Sequence, residues 1–304
     1  MTLDLNSIQG IPKDILPDKV DSIQIIKGGM NNQNILLNGS YLLKAYIQRD
    51  EKNDPVQLRY LREKTAFVKL TNLKFMPNFL NSYEKENELY IARMWAEGRI
   101  LSLTDLDNYT DTLVTTLSSL HRQHYTCEAD YNYFDVITRY LQEYRHRFRN
   151  QKWNLPDVMA VSSFYDQNKD KLVELEKSRL LTRIHGDLVF SNIICSHQKC
   201  IFIDWEYTTY GDPLIDLAYL ITQNSIAKKS ERKLIRLYAH HNFLEIDPRR
   251  LSIYKNLMNL MSALWYSLQV MRFSNNKLTH SELNLSGTQF EELAKQGFSQ
   301  LKIH

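Results

Sequence analysis

Cysteine is scarce in this sequence. The chain has three cysteines, Cys127, Cys195 and Cys200. An odd and low number argues against a framework of disulfide bonds and is typical of proteins from a reducing compartment. The opening residues, MTLDLNSIQG, also lack the charged and apolar segments of a secretory signal peptide. We therefore predict a cytoplasmic protein.

Long apolar runs and a strong charge of one sign are absent as well. No run approaches the roughly 20 residues that a membrane-spanning helix needs, which argues against a membrane protein. The formal net charge of +3 is too small to indicate a nucleic-acid partner. The sequence has no internal repeat or low-complexity tract. Its 304 residues are enough for one large domain or two lobes, each with a buried core.

The N-terminal part has the pattern of an antiparallel sheet. Short runs of alternating or apolar residues predict strands over residues 20–27, 34–37, 41–46, 79–83 and 88–94. Asn38-Gly39, between the second and third runs, is a strong signal for a two-residue hairpin turn. Residues 55–70 carry apolar side chains at broadly helical spacing. We therefore expect a five-stranded sheet with one inserted helix.

The pattern becomes helical after residue 95. Helical periodicity predicts helices over residues 103–124, 133–148, 157–175, 213–222, 231–240, 248–273 and 288–301. The linker at residues 95–100 has Gly98 as its pivot. We predict an α+β fold with two domains, a small β-rich lobe at residues 1–95 and a larger helical lobe at residues 96–304.

The most informative stretch interrupts these helices. It contains His185-Gly186-Asp187, then Asn192, and then Asp204 after a short predicted hairpin of two apolar strands. Loops at strand ends display polar side chains on a rigid frame. Two carboxylates and an amide on such loops suit magnesium and phosphate. The Asp-x4-Asn spacing also matches the catalytic loop of phosphoryl-transfer enzymes, although spacing alone fits two residues that cap a turn.

Together, these motifs resemble a known superfamily. HGDLVFSNI, FIDWEY and GDPLIDLA are similar to the motifs of the aminoglycoside phosphotransferase and choline kinase superfamily, a bilobal branch of the protein-kinase-like fold. The order of elements supports the resemblance across nearly the whole chain. DWEY with Gly211-Asp212-Pro213 looks closest to bacterial choline and thiamine kinases. The resemblance implies an enzyme that uses ATP and Mg²⁺.

The same resemblance implies roles for individual residues. Asp187 is the expected catalytic base, and Asn192 and Asp204 are the expected metal ligands. Lys44 would contact the phosphates and Glu63 would hold it; the alternative is a surface ion pair worth at most about 1 kcal/mol. Further expected nucleotide contacts are the glycine turn, two asparagines and the backbone edge that would read adenine: Gly28, Gly29, Asn31, Asn32, Arg93 and Trp95. For the glycine pair, the alternative is an ordinary hairpin turn.

Other polar residues near the motifs are better explained by structure. Asp216, early in a predicted helix, is expected to bind the backbone of the catalytic loop rather than to act in catalysis. His185 is expected to pack within that loop. His121 is expected to cap a helix C-terminus. Cys195 and Cys200 are better explained as hairpin residues than as metal ligands.

Departures from protein kinases point to a small-molecule acceptor. Gly186 stands where the protein-kinase loop has arginine, Trp205-Glu206 replaces Phe-Gly, and no Ala-Pro-Glu segment follows. The expected substrate contacts are Glu206, Tyr207, Tyr210, Asp212, Trp265 and Tyr266. Trp265 is also compatible with a position in the core. Trp265 would suit a quaternary ammonium group through cation–π attraction, although Ser262 leaves part of the aromatic pattern of choline kinases missing.

The acceptor itself is left open among related amines. A polycationic aminoglycoside needs an acidic pocket, whereas residues 228–304 contain 12 Lys and Arg against 6 Asp and Glu. We therefore predict a small hydroxylated amine, with choline first and thiamine as the nearest rival. A member of a different class, a catalytically silent nucleotide-binding module, would bind ATP and phosphorylate nothing.

Overall fold

The N-terminal lobe is built around a five-stranded antiparallel sheet. The computed structural model describes residues 11–26, 32–47, 55–85, 88–148, 155–175, 181–197, 199–274, 285–301 and 303. The sheet has the order β1-β2-β3-β5-β4, with strands β1 (Ile23–Ile26), β2 (Asn32–Leu37), β3 (Tyr41–Tyr46), β4 (Phe79–Lys85) and β5 (Glu88–Met94). The predicted sheet is therefore present, with every strand close to its expected position.

The β2–β3 hairpin has a three-residue loop rather than the two-residue turn that Asn38-Gly39 predicts, although the strands end and begin as expected. Leu37 pairs with Tyr41, so the loop contains three residues, 38–40. Asn38 and Gly39 have φ angles of 53° and 68°, the left-handed conformation that these residue types adopt most readily. The Asn38 side chain also accepts the N–H of Asp21 at 2.8 Å and thereby ties the turn to the chain that precedes β1.

Helix α1 (Val56–Leu70) packs against this sheet. Its buried residues include Tyr60, Glu63, Ala66, Phe67 and Leu70, at the three- and four-residue spacing of one helix face. Burial of that face places Glu63 against β3, which carries Lys44. The predicted helix at residues 55–70 is thus confirmed.

The C-terminal lobe is predominantly helical. Its helices are α2 (Leu106–Leu120), α3 (Tyr133–Phe148), α4 (Val158–Leu175), α5 (Leu214–Gln223), α6 (Lys228–Asn242), α7 (Pro248–Ser274) and α8 (Gly287–Ser299). The predicted helix at residues 103–124 is shorter than expected, because it begins after Asp105 and ends before His121. None of the helices that the structure describes has the length and apolar character needed to cross a membrane.

Short strands frame the loop that carries the polar motif. The predicted hairpin is present as β8 (Ile193–Ser196) and β9 (Lys199–Phe202), and β8 also pairs with β6 (Arg99–Ile100). Strand β7 (Thr182–Ile184) pairs with β10 (Thr209–Gly211). Strands β6, β7 and β10 are too short to produce a detectable alternation in the sequence.

The two lobes share a continuous apolar core. One cluster of buried residues runs from Tyr46 and Phe67 to the helices of the C-terminal lobe. Phe75, which follows α1, lies with its ring 6.1 Å from Phe202 and 6.0 Å from Trp205. The change from strands to helices falls near residue 95, as expected, but packing does not stop there, and the division into two domains stays a prediction.

Candidate active site

The loop after β7 depends on a glycine. Gly186 has φ = 85°, a conformation that residues with a Cβ rarely adopt. A Cβ at this position would lie 2.1 Å from the Tyr133 hydroxyl and 2.4 Å from the Tyr207 carbonyl oxygen. The Tyr133 hydroxyl also donates to the Gly186 carbonyl at 3.0 Å. Only a residue without a side chain fits between these groups.

Asp216 holds this loop from behind. Its carboxylate is buried and accepts the backbone N–H groups of His185 and Gly186, each at 2.8 Å. His121 Nε2 lies 3.0 Å from the same carboxylate, and His121 Nδ1 lies 2.6 Å from the Tyr238 hydroxyl. Asp216, on α5, thus connects the loop to α2 and α6.

His121 therefore belongs to a buried network and is not simply a helix cap. The sequence pattern indicates that His121 needs a buried hydrogen-bond partner. His121 follows Leu113, Leu117 and Leu120 on the buried face of α2, and a polar side chain on such a face needs a hydrogen-bond partner. That partner, Asp216, lies in a helix far along the chain.

His185 is buried and neutral in this arrangement. Its Nδ1 accepts the Asp187 N–H at 3.2 Å, and its Nε2 donates to the Ile203 carbonyl at 3.0 Å. Burial lowers the pKa of the imidazole, which disfavours its protonated form. The ring centroid lies 4.5 Å from that of Trp205. These contacts leave His185 with a packing role in the loop.

Asp187 and Asn192 meet, as their spacing predicts. A turn of 3₁₀ helix, Phe190–Asn192, brings Asn192 Nδ2 within 2.9 Å of both the backbone oxygen and Oδ2 of Asp187. Burial raises the pKa of Asp187 to about 7, and the nearby charge of Asp204 adds to this effect. A carboxylate with such a pKa exchanges protons readily near neutral pH.

Asp204 lies two residues after the end of β9, in an unusual backbone conformation. Its φ angle is 68°, which few residues other than glycine adopt. The Ile203 N–H donates to the Asn192 carbonyl at 3.0 Å, and this hydrogen bond fixes the chain beside both residues. Burial alone would raise the pKa of Asp204, but the ammonium group of Lys44 outweighs it and the pKa is lowered. Asp204 is therefore an anion at neutral pH.

Lys44 lies among three carboxylates. Its Nζ is 2.5 Å from Glu63 Oε2 and 3.6 Å from Glu206 Oε2, and it also pairs with Asp204. Burial alone would lower the pKa of Lys44, but the three carboxylates raise it above its ordinary value. Only 7% of the Lys44 side chain is exposed, so the alternative of a surface ion pair is wrong.

Glu206 joins the two lobes at this cluster. Its Oε2 accepts from Asn32 Nδ2 at 2.7 Å, and its backbone oxygen accepts from Arg62 Nε at 2.5 Å. Arg59 lies 3.8 Å from the Glu206 carboxylate. The amide of Asn32 is therefore engaged by a carboxylate here rather than directed at a phosphate.

A cavity of about 230 Å³ opens beside these groups. Polar residues line one part of it, including Lys44, Asp187, Asn192, Asp204 and Glu206. Seven aromatic side chains also line it: Tyr131, Tyr133, Tyr140, Tyr207, Tyr219, Trp265 and Tyr266. A charged site and an aromatic wall thus share one space, with Asp187 in contact with it.

Comparison with known proteins identifies the family. A model described as the phosphotransferase enzyme family matches residues 22–254 of this chain. The chain belongs to the phosphotransferase enzyme family. The predicted enzyme class, a phosphotransferase, is thereby confirmed.

Similar proteins agree with this assignment. A LicA homologue from Metamycoplasma hominis is 26% identical over 247 residues, which cover 79% of this chain and 91% of the relative. Choline kinase LicA from Streptococcus pneumoniae has a similar structure, with a TM-score of 0.70, 20% identity and 97% coverage of both chains. The GDP and kanamycin complex of APH(2")-IIia has a TM-score of 0.68 at 16% identity, with 98% of this chain and 99% of that chain covered. The predicted bilobal, kinase-like α+β fold is therefore confirmed.

Two residues predicted to contact substrate in this phosphotransferase do not lie at the cavity. Asp212 is buried, and its carboxylate accepts from the Leu214 N–H at 2.9 Å and the Tyr254 hydroxyl at 3.1 Å. Tyr210 is 42% exposed on β10, and its ring lies 5.5 Å from the Arg183 guanidinium. These contacts hold both side chains outside the lining of the cavity. Glu206, Tyr207, Trp265 and Tyr266 do line the cavity.

The expected adenine edge is only partly available in this phosphotransferase. The Trp95 N–H donates to the Ser40 carbonyl at 2.7 Å, and the Met94 carbonyl accepts from Arg93 Nη1 at 3.0 Å. The donor of Trp95 is thus satisfied within the lobe, which counts against this N–H as the group that reads adenine. The predicted nucleotide contacts Gly28, Gly29 and Asn31 lie outside the described residues.

The residues present fit a magnesium ion. Asp204 is anionic, and 37% of its side chain is exposed. Asn192 directs its Nδ2 at Asp187, which leaves its amide oxygen for another partner. Carboxylate and amide oxygens are the hard ligands that Mg²⁺ prefers. The site therefore has the donor set that the magnesium prediction requires.

Proposed function

We propose that this phosphotransferase transfers the γ-phosphoryl group of ATP, in a magnesium-dependent reaction, to the hydroxyl group of choline. The observation that carries the proposal is the position of Asp187, which faces a cavity shared by Lys44, Asn192, Asp204 and an aromatic wall. One part of that cavity is chemically suited to phosphate, and the other to an organic cation.

Each polar residue has a defined task in this mechanism. Asn192 and Asp204 would hold Mg²⁺, which neutralises charge on the phosphate oxygens when it is bound. Lys44 binds the nucleotide phosphates, and Glu63 fixes the direction of its ammonium group. Asp187 orients the choline hydroxyl and takes its proton as the new O–P bond forms. The products are phosphocholine, ADP and that proton.

The aromatic wall favours a quaternary ammonium over a polycation. Rings attract a cation through their π faces, by about 2 kcal/mol when both partners are desolvated. Trp265 and Tyr266, on α7, lie in the same cavity as Tyr207 and Tyr219. A trimethylammonium group has no N–H to satisfy, so rings replace its hydration without hydrogen bonds. An aminoglycoside has several ammonium groups, each of which needs an acceptor.

The proposal is tested by supplying the purified protein with ATP and Mg²⁺ and a panel of acceptors. The panel contains choline, ethanolamine, thiamine, homoserine and kanamycin, and ADP release and product mass are measured. We expect choline to give the highest kcat/KM. If another acceptor gave a higher kcat/KM than choline, that acceptor would be the substrate and the proposal of choline would be wrong. Binding of ATP without turnover of any acceptor would instead indicate a silent module.

The assignment of Asp187 as the catalytic base is tested by a substitution at that residue. Asp187→Ala removes the group that takes the proton, so we expect kcat to fall by about 10²–10⁴-fold with an unchanged circular-dichroism spectrum. Asp170→Ala changes an exposed carboxylate on α4 and is expected to keep full activity. An Asp187→Ala enzyme as active as the Asp170→Ala enzyme would remove Asp187 from the mechanism.

A further inference from the structure

Two buried thiols face each other beside the candidate active site. Cys195 on β8 and Cys200 on β9 are cross-strand partners, and their Sγ atoms are 3.3 Å apart. Each is 2% exposed, and both are free cysteines. The proposed mechanism uses neither of them.

The hydrogen bonds of the hairpin show which kind of pair this is. Ile203 N–H donates to the Asn192 carbonyl, so residues 192 and 203 form a hydrogen-bonded pair. Pairs alternate along an antiparallel ladder, which makes Cys195 and Cys200 a non-hydrogen-bonded pair. The Cα atoms of such pairs are about 4.5 Å apart, within the range of about 4.4–6.8 Å that disulfides span. A bond therefore requires the sulfur atoms to close from 3.3 Å to about 2.05 Å.

We propose that Cys195 and Cys200 form a reversible oxidation site, whose cross-strand disulfide lowers the turnover of the enzyme. The oxidant is hydrogen peroxide. The Cys195 thiolate attacks the peroxide oxygen, the O–O bond breaks, and Cys195 becomes a sulfenic acid as hydroxide or water leaves. The Cys200 sulfur then attacks the Cys195 sulfur, the S–O bond breaks, and a second water leaves. In sum, two thiols and one hydrogen peroxide give one disulfide and two waters.

The surroundings distinguish the two thiols. The hydrogen bond with Cys200 lowers the pKa of Cys195 and outweighs burial and the Asp105 carboxylate, which raise it, while Arg99 on β6 adds a smaller lowering effect. The same hydrogen bond, together with burial, raises the pKa of Cys200. Since a thiolate is the nucleophile, the lower pKa of Cys195, which pairs with Arg99 across β6 and β8, favours this sulfur as the one that attacks. Burial of both thiols restricts the reaction to small oxidants.

The effect on turnover rests on the proposed function. Asn192 immediately precedes β8, and Asp204 follows β9, so one short hairpin spaces the two expected magnesium ligands. Disulfides most often hold their Cα atoms about 5.5–6 Å apart, so the bond would push the two strands apart from the roughly 4.5 Å of this pair. Displacement of reacting groups by about 1 Å can cost about 10²-fold in rate, and we expect oxidation to lower kcat by roughly tenfold.

The first experiment maps the bond without any use of activity. The reduced full-length protein is treated with hydrogen peroxide, unfolded in the presence of iodoacetamide, digested and analysed by mass spectrometry. We expect the segment that contains residues 195 and 200 to lose two hydrogens and to escape alkylation, and dithiothreitol to reverse this. Cys127, which is partly exposed, serves as the internal control and should remain alkylatable for longer or oxidise without a partner. Alkylation of both Cys195 and Cys200 after treatment, or a disulfide to Cys127, overturns the site.

The second experiment measures regulation. Choline kinase activity is followed for the wild type, Cys200→Ala and Cys127→Ala, before and after peroxide. The wild type and Cys127→Ala should lose activity and regain it with dithiothreitol, whereas Cys200→Ala should not respond reversibly. A mapped disulfide with unchanged turnover overturns the regulatory effect. A protein inactive toward every acceptor before oxidation contradicts the proposed function instead, and the mapping still decides the oxidation site.

Discussion

The pKa values of Asp187 and Asp204 are shifted in opposite directions. The pKa of Asp187 is raised to about 7 by burial and by the charge of Asp204, whereas Lys44 lowers the pKa of Asp204. Environments that separate two carboxyl pKa values also separate their roles. Asp204 is suited to permanent charge and metal binding, and Asp187 to proton exchange.

This difference predicts a pH dependence of catalysis. Asp187 must be deprotonated to accept a proton, so kcat/KM for choline should rise with pH up to about 7 and level off above it. Below that pH it should fall by about tenfold per unit, since one protonation inactivates the free enzyme. Choline has no group that titrates in this range. The profile is measured from about pH 5.5 to about pH 9, and a rate that is flat or that falls across this range contradicts the assignment of Asp187.

At the residue scale, spacing along the chain predicted side chains that share one loop. Asp187 and Asn192 contact each other because five positions fit one turn of 3₁₀ helix. Spacing could not tell which side of the chain faces the cavity. Asp212 follows the DWEY motif closely, yet its carboxylate caps the start of α5 at the Leu214 N–H. His121 is the C-cap residue of α2, as expected, but spacing could not reveal the side-chain partner Asp216, which is remote in sequence.

At the scale of elements, a comparison of two glycines distinguishes the cost of backbone strain from the cost of steric overlap. Gly186, in the catalytic loop, has a positive φ angle and a site with no room for a Cβ. Gly39, in the β2–β3 turn, has φ = 68°, and nothing lies within 4 Å of the point that a Cβ would occupy. Both positions require the left-handed conformation, but only Gly186 is also closely surrounded.

We predict that Gly186→Ala is far more destabilising than Gly39→Ala. Both changes carry a strain cost of about 1 kcal/mol for alanine at positive φ. Gly186→Ala additionally forces the Tyr133 hydroxyl and the Tyr207 carbonyl apart, for a total of about 3 kcal/mol or more. Urea unfolding of the two variants and the wild type gives the comparison. Equal losses in the free energy of unfolding would mean that Tyr133 moves aside for the alanine Cβ without an energetic cost.

Element prediction succeeded where a helix or strand is long and periodic. Helix α3 spans Tyr133–Phe148, as the pattern indicates. Strands β7 and β10 have three residues each and carry no readable alternation, although they hold the start of the catalytic loop. Their existence depends on pairing between remote segments, Thr209 with Ile184, which no local pattern encodes.

At the scale of the whole molecule, one buried charge cluster and one core connect the lobes. The expected Lys44–Glu63 pair is present. Lys44 also pairs with Asp204, 160 positions further along the chain, and with Glu206, so the cluster joins the N-terminal lobe to the C-terminal lobe. One oxygen of each of the three carboxylates lies within 4.8 Å of the others. Without a cation, these groups would repel one another in a buried site.

Lys44→Met provides the test of this arrangement. Removal of one partner from a buried ion pair costs about 3–5 kcal/mol, so we expect a loss of that size at about pH 8. Lys64→Met is the matched control, because Lys64 pairs with Glu84 at 3.2 Å in a more exposed site, where a pair contributes at most about 1 kcal/mol.

The loss in Lys44→Met should depend on pH and on divalent cations. Burial already raises the pKa of Glu63, and the loss of the Lys44 ammonium group should raise it further in the folded state. The folded state then binds more protons than the unfolded state, so the stability of the variant increases as pH falls from about 8 to about 5.

Magnesium should also stabilise the variant, since three carboxylates form a hard-oxygen site and binding to the folded state alone raises its stability. Urea titrations at three pH values across this range, with and without Mg²⁺, measure both effects. A loss that equals that of Lys64→Met, or that stays constant across this pH range, would show that the carboxylates do not need Lys44 to remain charged together.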